Sequence, residues 1–192
     1  MDKSAKSTPV TIIITIVTAL LTSLFAPYAI ESLKERQAQR NKDAEKQERI
    51  VATQFEIVEK CNVVYWNYRQ AADFLISDFA DGQPDGTLFR DHLKKFQEAS
   101  AEANSQLPIQ AFRGRMYFGS EDVYQRLLEI PSRIFSGVDH DISIQIAADS
   151  IPRPTKSKSK WEHLHQELID VGGFVQADLN SIFLQIGSRT KP

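Results

Sequence analysis

The sequence predicts an all-α protein: one N-terminal transmembrane helix, continuing through a charged helical stalk into a cytosolic up-down helical bundle. Three observations predict it. Residues 9–30 are apolar and carry no charge. Residues 31–49 are rich in helix formers and lack Gly and Pro. From Ile50 almost to the C-terminus, apolar residues recur at steps of three and four, the spacing of a helix with one buried face.

Before the first element stands a short tail, residues 1–8. The 22 residues of segment 9–30 reach roughly 33 Å as a helix, enough for a hydrocarbon core of about 30 Å. No small-x-small cleavage pattern follows it, because Ala26 has Leu24 at −3 and Ala29 has Pro27. The segment therefore reads as an uncleaved anchor. Lys3 and Lys6, offset by Asp2, precede it, whereas Lys34, Arg36, Arg40, Lys42 and Lys46 follow it. By the positive-inside bias the N-terminus lies outside and the C-terminal domain in the cytoplasm.

Within the anchor, Thr11, Thr15, Thr18 and Thr22 step by four, three and four, so their hydroxyls share one helical stripe that Ala26 continues. A hydroxyl in lipid can bond its own i−4 carbonyl. Four in register with a small residue make a close-packing face, which predicts a homo-oligomer interface, and in a stronger form the lining of a pore. Each interhelical hydroxyl bond contributes only about 0.6 kcal/mol, so the bundle must help to hold the copies together. Pro27 has no N–H for the Ser23 carbonyl and is the expected hinge.

The stalk, residues 31–49, pairs Glu31 with Lys34, Asp43 with Lys46 and Glu45 with Arg49 along its surface. The bundle is expected over residues 50–187, before a tail at 188–192. Its first helix buries Val51, Phe55, Val58, Cys61, Tyr65, Tyr68, Ala72, Leu75 and Phe79, and it ends at the Gly- and Pro-rich turn 81–86. Trp66 is read with Tyr65 and Tyr68 as bundle packing. A second helix, 87–106, is stopped by Pro108, and Gly114 and Gly119 bracket an irregular link. Ser120 caps a third helix that carries Glu121 and Asp122 in its first turn and a possible kink at Pro131. Ile142, Ile144 and Ile146 alternate, yet a lone strand has no partner, so this stretch is read as a helical turn or extended linker. Residues 151–160 form a loop. The last helix, 161–186, carries Trp161, Leu164, Leu168, Val171, Val175, Leu179, Ile182 and Ile186, with Gly172-Gly173 marking a bend or a close contact. Up-down topology puts the 81–86 turn and the 151–160 loop at the end far from the membrane, with Arg113 and Arg115 at the near end.

Chemistry-bearing residues are few. Arg153, Lys156, Lys158 and Lys160 form a cationic run without an acid, the pattern of an anion- or ligand-binding loop. Its distal position favours a soluble anion or a partner protein over lipid headgroups. His163 and Glu167 sit four apart with His165 close by, but no third ligand completes a metal set. Cys61, the single cysteine, lies on an apolar face as a core thiol. No phosphate-binding loop or nucleophile motif is present, so no catalytic residue, metal or cofactor is expected and the chain is read as a non-enzyme. A formal net charge of −2 gives no field for nucleic acid, and no direct DNA binding is expected.

This layout resembles the small membrane effectors of bacterial anti-phage defence systems, in which a signal-sensing cytosolic part is joined to a short membrane part. The resemblance is one of architecture and carries no motif. It implies the inner (plasma) membrane of a bacterium as the location and a nucleotide or other anionic signal as trigger. The expected function is thus a membrane-anchored homo-oligomeric effector, a channel or membrane-disrupting protein gated by a ligand or partner. The alternative is a passive membrane-anchored adaptor that recruits a cytosolic partner through the bundle.

Overall fold

The computed structural model describes residues 8–80, 86–149 and 158–189. Every element in them is helical: α1 (Thr8–Ala80), α2 (Gly86–Phe118), α3 (Glu121–Arg133), a π turn (Ile134–Val138), α4 (Asp139–Asp149) and α5 (Lys158–Arg189). The all-α expectation is met, with no strand among the described residues. The chain divides into two compact units, Met1–Arg49 and Ile50–Pro192.

The described residues of the first unit form a single helix, the N-terminal part of the 73-residue α1. Val17, Leu20, Leu21, Ile30 and Leu33 are exposed on it, as is Tyr28. The Thr22 hydroxyl donates to the Thr18 carbonyl at 2.6 Å, and the Ser23 hydroxyl donates to the Leu20 carbonyl at 3.1 Å. In the stalk, Arg49 pairs with Glu45 at 2.5 Å and Gln39 donates to Asp43 at 3.0 Å, both on the surface and worth a few tenths of a kcal/mol. Among the described residues, no helix is long and apolar enough to cross a membrane. The side chains of residues 9–16 and 24–26, which belong to the 9–30 segment, lie outside that description.

The second unit is an antiparallel bundle. The C-terminal part of α1, α2, the continuous run α3–π turn–α4, and α5 form its four columns. α1 meets α2 through Asp78–His92 at one end and through Glu56–Arg113 and Gln54–Tyr117 at the other. α1 meets α5 through Phe79–Trp161, Asp73–His165 and Phe55–Phe183. α2 meets the third column through Ser100–Asp139 and Phe112–Tyr124, and that column meets α5 through Arg126–Asp178 and Arg133–Phe174. In each pair one number rises as the other falls, as alternating directions require. Phe79, Phe89 and Trp161 cluster at one end, which gathers the end of α1 and the starts of α2 and α5 there. Arg113 sits at the other end, beside Glu56.

The core follows the predicted stripes. Val58, Cys61, Tyr65, Tyr68, Ala72 and Leu75 of α1 are buried, as are Val123, Leu127, Ile130 and Ile134. In α5, Trp161, Leu164, Leu168, Val175, Leu179, Ile182 and Ile186 are buried. Each such aliphatic side chain contributes about 1.5–3 kcal/mol when fully buried. α2 and α3 approach each other closely along their backbones at several points. Gly114 permits one of them, because a Cβ there would collide with the Leu127 side chain.

Three expectations are corrected. α2 does not stop at Pro108 but runs to Phe118, because Leu107, Ala111 and Gly114 are buried, and tertiary packing outweighs one missing backbone bond. The link shrinks to Gly119, at φ 59°, and Ser120, whose hydroxyl accepts from the Val123 N–H at the start of α3. Trp66 is exposed, with the Arg69 guanidinium 5.0 Å over its ring. Elsewhere the sequence left alternatives, and the structure chooses. Of the helical turn and the extended linker left open around residues 139–149, the helical reading holds and runs for 11 residues, with Ile142 buried against the core. α5 is unbroken at Gly172-Gly173, so the pair marks a close contact: a Cβ on Gly172 would lie 3.0 Å from the Tyr65 hydroxyl. Pro131 lies inside α3, and the π turn follows it.

Candidate functional site

The sequence-predicted residues fall in three places. Thr11, Thr15, Thr18, Thr22 and Ala26 all lie on α1, and Thr18 and Thr22 are exposed. Pro27 is exposed inside the same helix, with helical backbone on both sides. Arg153 and Lys156 lie outside the described residues, and Lys158 and Lys160 occupy the first turn of α5. Among the described side chains, Thr18, Thr22 and Pro27, none joins a geometric site.

The histidine group does not assemble a metal centre. His163 is exposed, His165 pairs with Asp73 at 3.0 Å, and no metal-holding cluster occurs among the described residues. Cys61 is buried, and burial pushes its thiol up to about 12, which leaves it protonated and inert.

What the fold does bring together is a polar layer across the bundle. Tyr65 and Tyr68 enter from α1, Ser100 from α2, Asp139 from α4 and Glu167 from α5. The Ser100 hydroxyl donates to Asp139 at 2.7 Å. Burial raises the Asp139 carboxyl above its usual range, while the Ser100 bond opposes the rise. Burial likewise holds the Tyr68 hydroxyl well above its ordinary value, with Asp139, Tyr65 and Glu167 adding to the shift. The hydroxyls of Tyr65 and Tyr68 are buried without a protein partner. The π turn sets the phase of this layer: Val138 and Ile142 both reach the core while Asp139 meets Ser100. Such polar atoms in a core cost about 1–3 kcal/mol each unless something satisfies them.

Beside that layer, toward the Gln54 end, a cleft of about 350 Å³ opens between α1 and α5. Phe55 and Phe183 meet edge to face at 5.1 Å, and Val58 and Leu179 complete its apolar lining. Glu59, Asn62, Gln176 and Asn180 supply the polar groups. The Asn62 Oδ1 atom is buried and has no hydrogen-bond partner. Gln176 Nε2 donates to Asn180 at 3.0 Å, which leaves the Gln176 carbonyl oxygen as an acceptor.

Sequence reasoning missed both features. A signal existed: Val58, Asn62, Tyr65 and Arg69 step by four, three and four, so a polar edge runs beside the apolar stripe of α1. Nothing local marked Asp139, because its place depends on the π turn and on a partner 39 residues away. Comparison with protein-family models, with curated proteins and with solved structures yields no match to this chain.

Proposed function

We propose that this chain is a membrane-anchored homo-oligomeric effector whose helical bundle senses a ligand or partner and alters the packing of its anchors. In its strongest form the assembly opens a conducting path, as the resemblance to anti-phage membrane effectors implies. The observation that carries the reading is the bare N-terminal part of α1, where Val17, Leu20, Leu21, Ile30 and Leu33 are all exposed. Apolar side chains exposed around a helix favour removal from water by about 25 cal/mol per Å², and a bilayer or sister copies provide that cover. The charge-free sequence of residues 9–30 supports the bilayer, and the threonine stripe supports sister copies. Helix α1 belongs to both units, so a change in how the bundle holds α1 has a covalent route to the anchor.

Expression of the full chain in bacteria with a potential-sensitive dye tests this reading. Depolarisation is expected, and replacing Thr15 and Thr18 with leucine is expected to abolish it while the chain still fractionates with membranes. Unchanged potential and growth from a membrane-bound chain removes the channel form. A second reading, the passive adaptor, is favoured by Ile109, Phe112 and Met116, an exposed apolar stripe on α2 in which Met116 is 80% accessible.

A further inference from the structure

The cleft between α1 and α5 has a chemistry of its own. Asn62 Oδ1 is an acceptor that nothing in the fold satisfies, and a buried acceptor requires an N–H or O–H donor. One turn away, Glu59 places a carboxylate in the lining, and no lysine or arginine lines the cleft to neutralise it. Gln176 adds an amide to the lining, its nitrogen donating to Asn180. Phe55 and Phe183 contribute aromatic rings, whose faces attract cations. An anion entering here meets a carboxylate and leaves Asn62 unsatisfied. A donor-bearing cation meets an opposite charge, the amide side chains of the lining and an aromatic wall.

We infer that this cleft binds a small organic cation, an ammonium or guanidinium group carried on a compact apolar body. Its volume lies at the small end of the range of ligand pockets, which suits a molecule of that kind. The inference rests on the proposed sensing role of the bundle and supplies the ligand class for it. It departs from the anionic signal expected at the basic run. The location gives the site leverage. α1 brings the unsatisfied atoms of Asn62, Tyr65 and Tyr68 to the bundle. A ligand that satisfies Asn62 and spans to Gln176 fixes the seam between α1 and α5, and α1 is the helix that leads to the proposed anchor.

The test is calorimetric titration and thermal unfolding of the full chain in detergent micelles. Phenethylammonium and agmatine serve as cationic probes, with phenethyl alcohol and phenylacetate as the neutral and anionic controls. Saturable binding of at least one cation, with a raised melting temperature, is expected, and neither control should match it. Glu59→Gln and Asn62→Leu should each weaken that binding by about tenfold or more while leaving the helical circular dichroism unchanged. The inference is overturned if neither cation saturates, if phenylacetate binds as well, or if Glu59→Gln keeps full affinity. Binding without depolarisation in cells upholds the site and removes the channel reading. Depolarisation without binding does the reverse.

Discussion

The indole of Trp161 lies flat on the ring of Phe79, with centroids 4.1 Å apart and 9° between the planes. Phe89 meets the same Phe79 ring edge-on at 5.0 Å, so one aromatic stack ties three helix ends together. Trp161 is fully buried, and its indole N–H has no partner.

Trp161→Ala is therefore expected to cost about 3–5 kcal/mol in chemical denaturation, the range for removing a buried aromatic. Trp161→Phe should cost less than half as much, because it keeps a ring on Phe79 and removes an unsatisfied donor. Equal losses for the two variants would show that the indole nitrogen finds a partner.

Two glycines should respond with opposite signs. Gly173 has open space around the position of a Cβ, so Gly173→Ala should stabilise the bundle by about 0.5–1 kcal/mol through helix propensity. Gly114 is buried against Leu127, so Gly114→Ala should destabilise it by about 1–3 kcal/mol through overpacking. Melting curves of the two variants beside the parent check both signs.

Asp139 makes the bundle's stability depend on pH. Its folded carboxyl titrates above the ordinary value of 3.8, chiefly because it is partly buried. Between those two values the folded chain holds more protons than the unfolded chain, so this group's contribution weakens as pH rises through the window. Asp139→Asn, which can still accept from Ser100, should flatten that part of the stability profile. An unchanged slope in denaturant titrations across this window would assign the dependence to other groups.

Much of the bundle was legible because its stripes are regular. Every apolar position assigned to α5 is at least half-buried, and the Ser120 cap begins α3 where the first-turn acids place it. The apolar periodicity begins at Ile50, where the two compact units divide. Pro108 misled because local rules weigh one missing N–H heavily, whereas Leu107, Ala111 and Phe118 hold the helix straight through. The polar layer was illegible for another reason. Ser100 and Asp139 meet only after the Gly119–Ser120 reversal and the π turn have set their phase, and the two stand 39 residues apart.

The account's central claim is that the N-terminal part of α1 lies in a bilayer against sister copies of itself. Its most direct test introduces Thr18→Cys or Thr22→Cys and oxidises isolated native membranes. Cys61 can stay in place, because its buried thiol at about 12 gives no background reaction. The account predicts disulfide-linked dimers from both variants, none from the parent, and retention of the chain after alkaline carbonate extraction. Monomers throughout, with the chain released by carbonate, would contradict it.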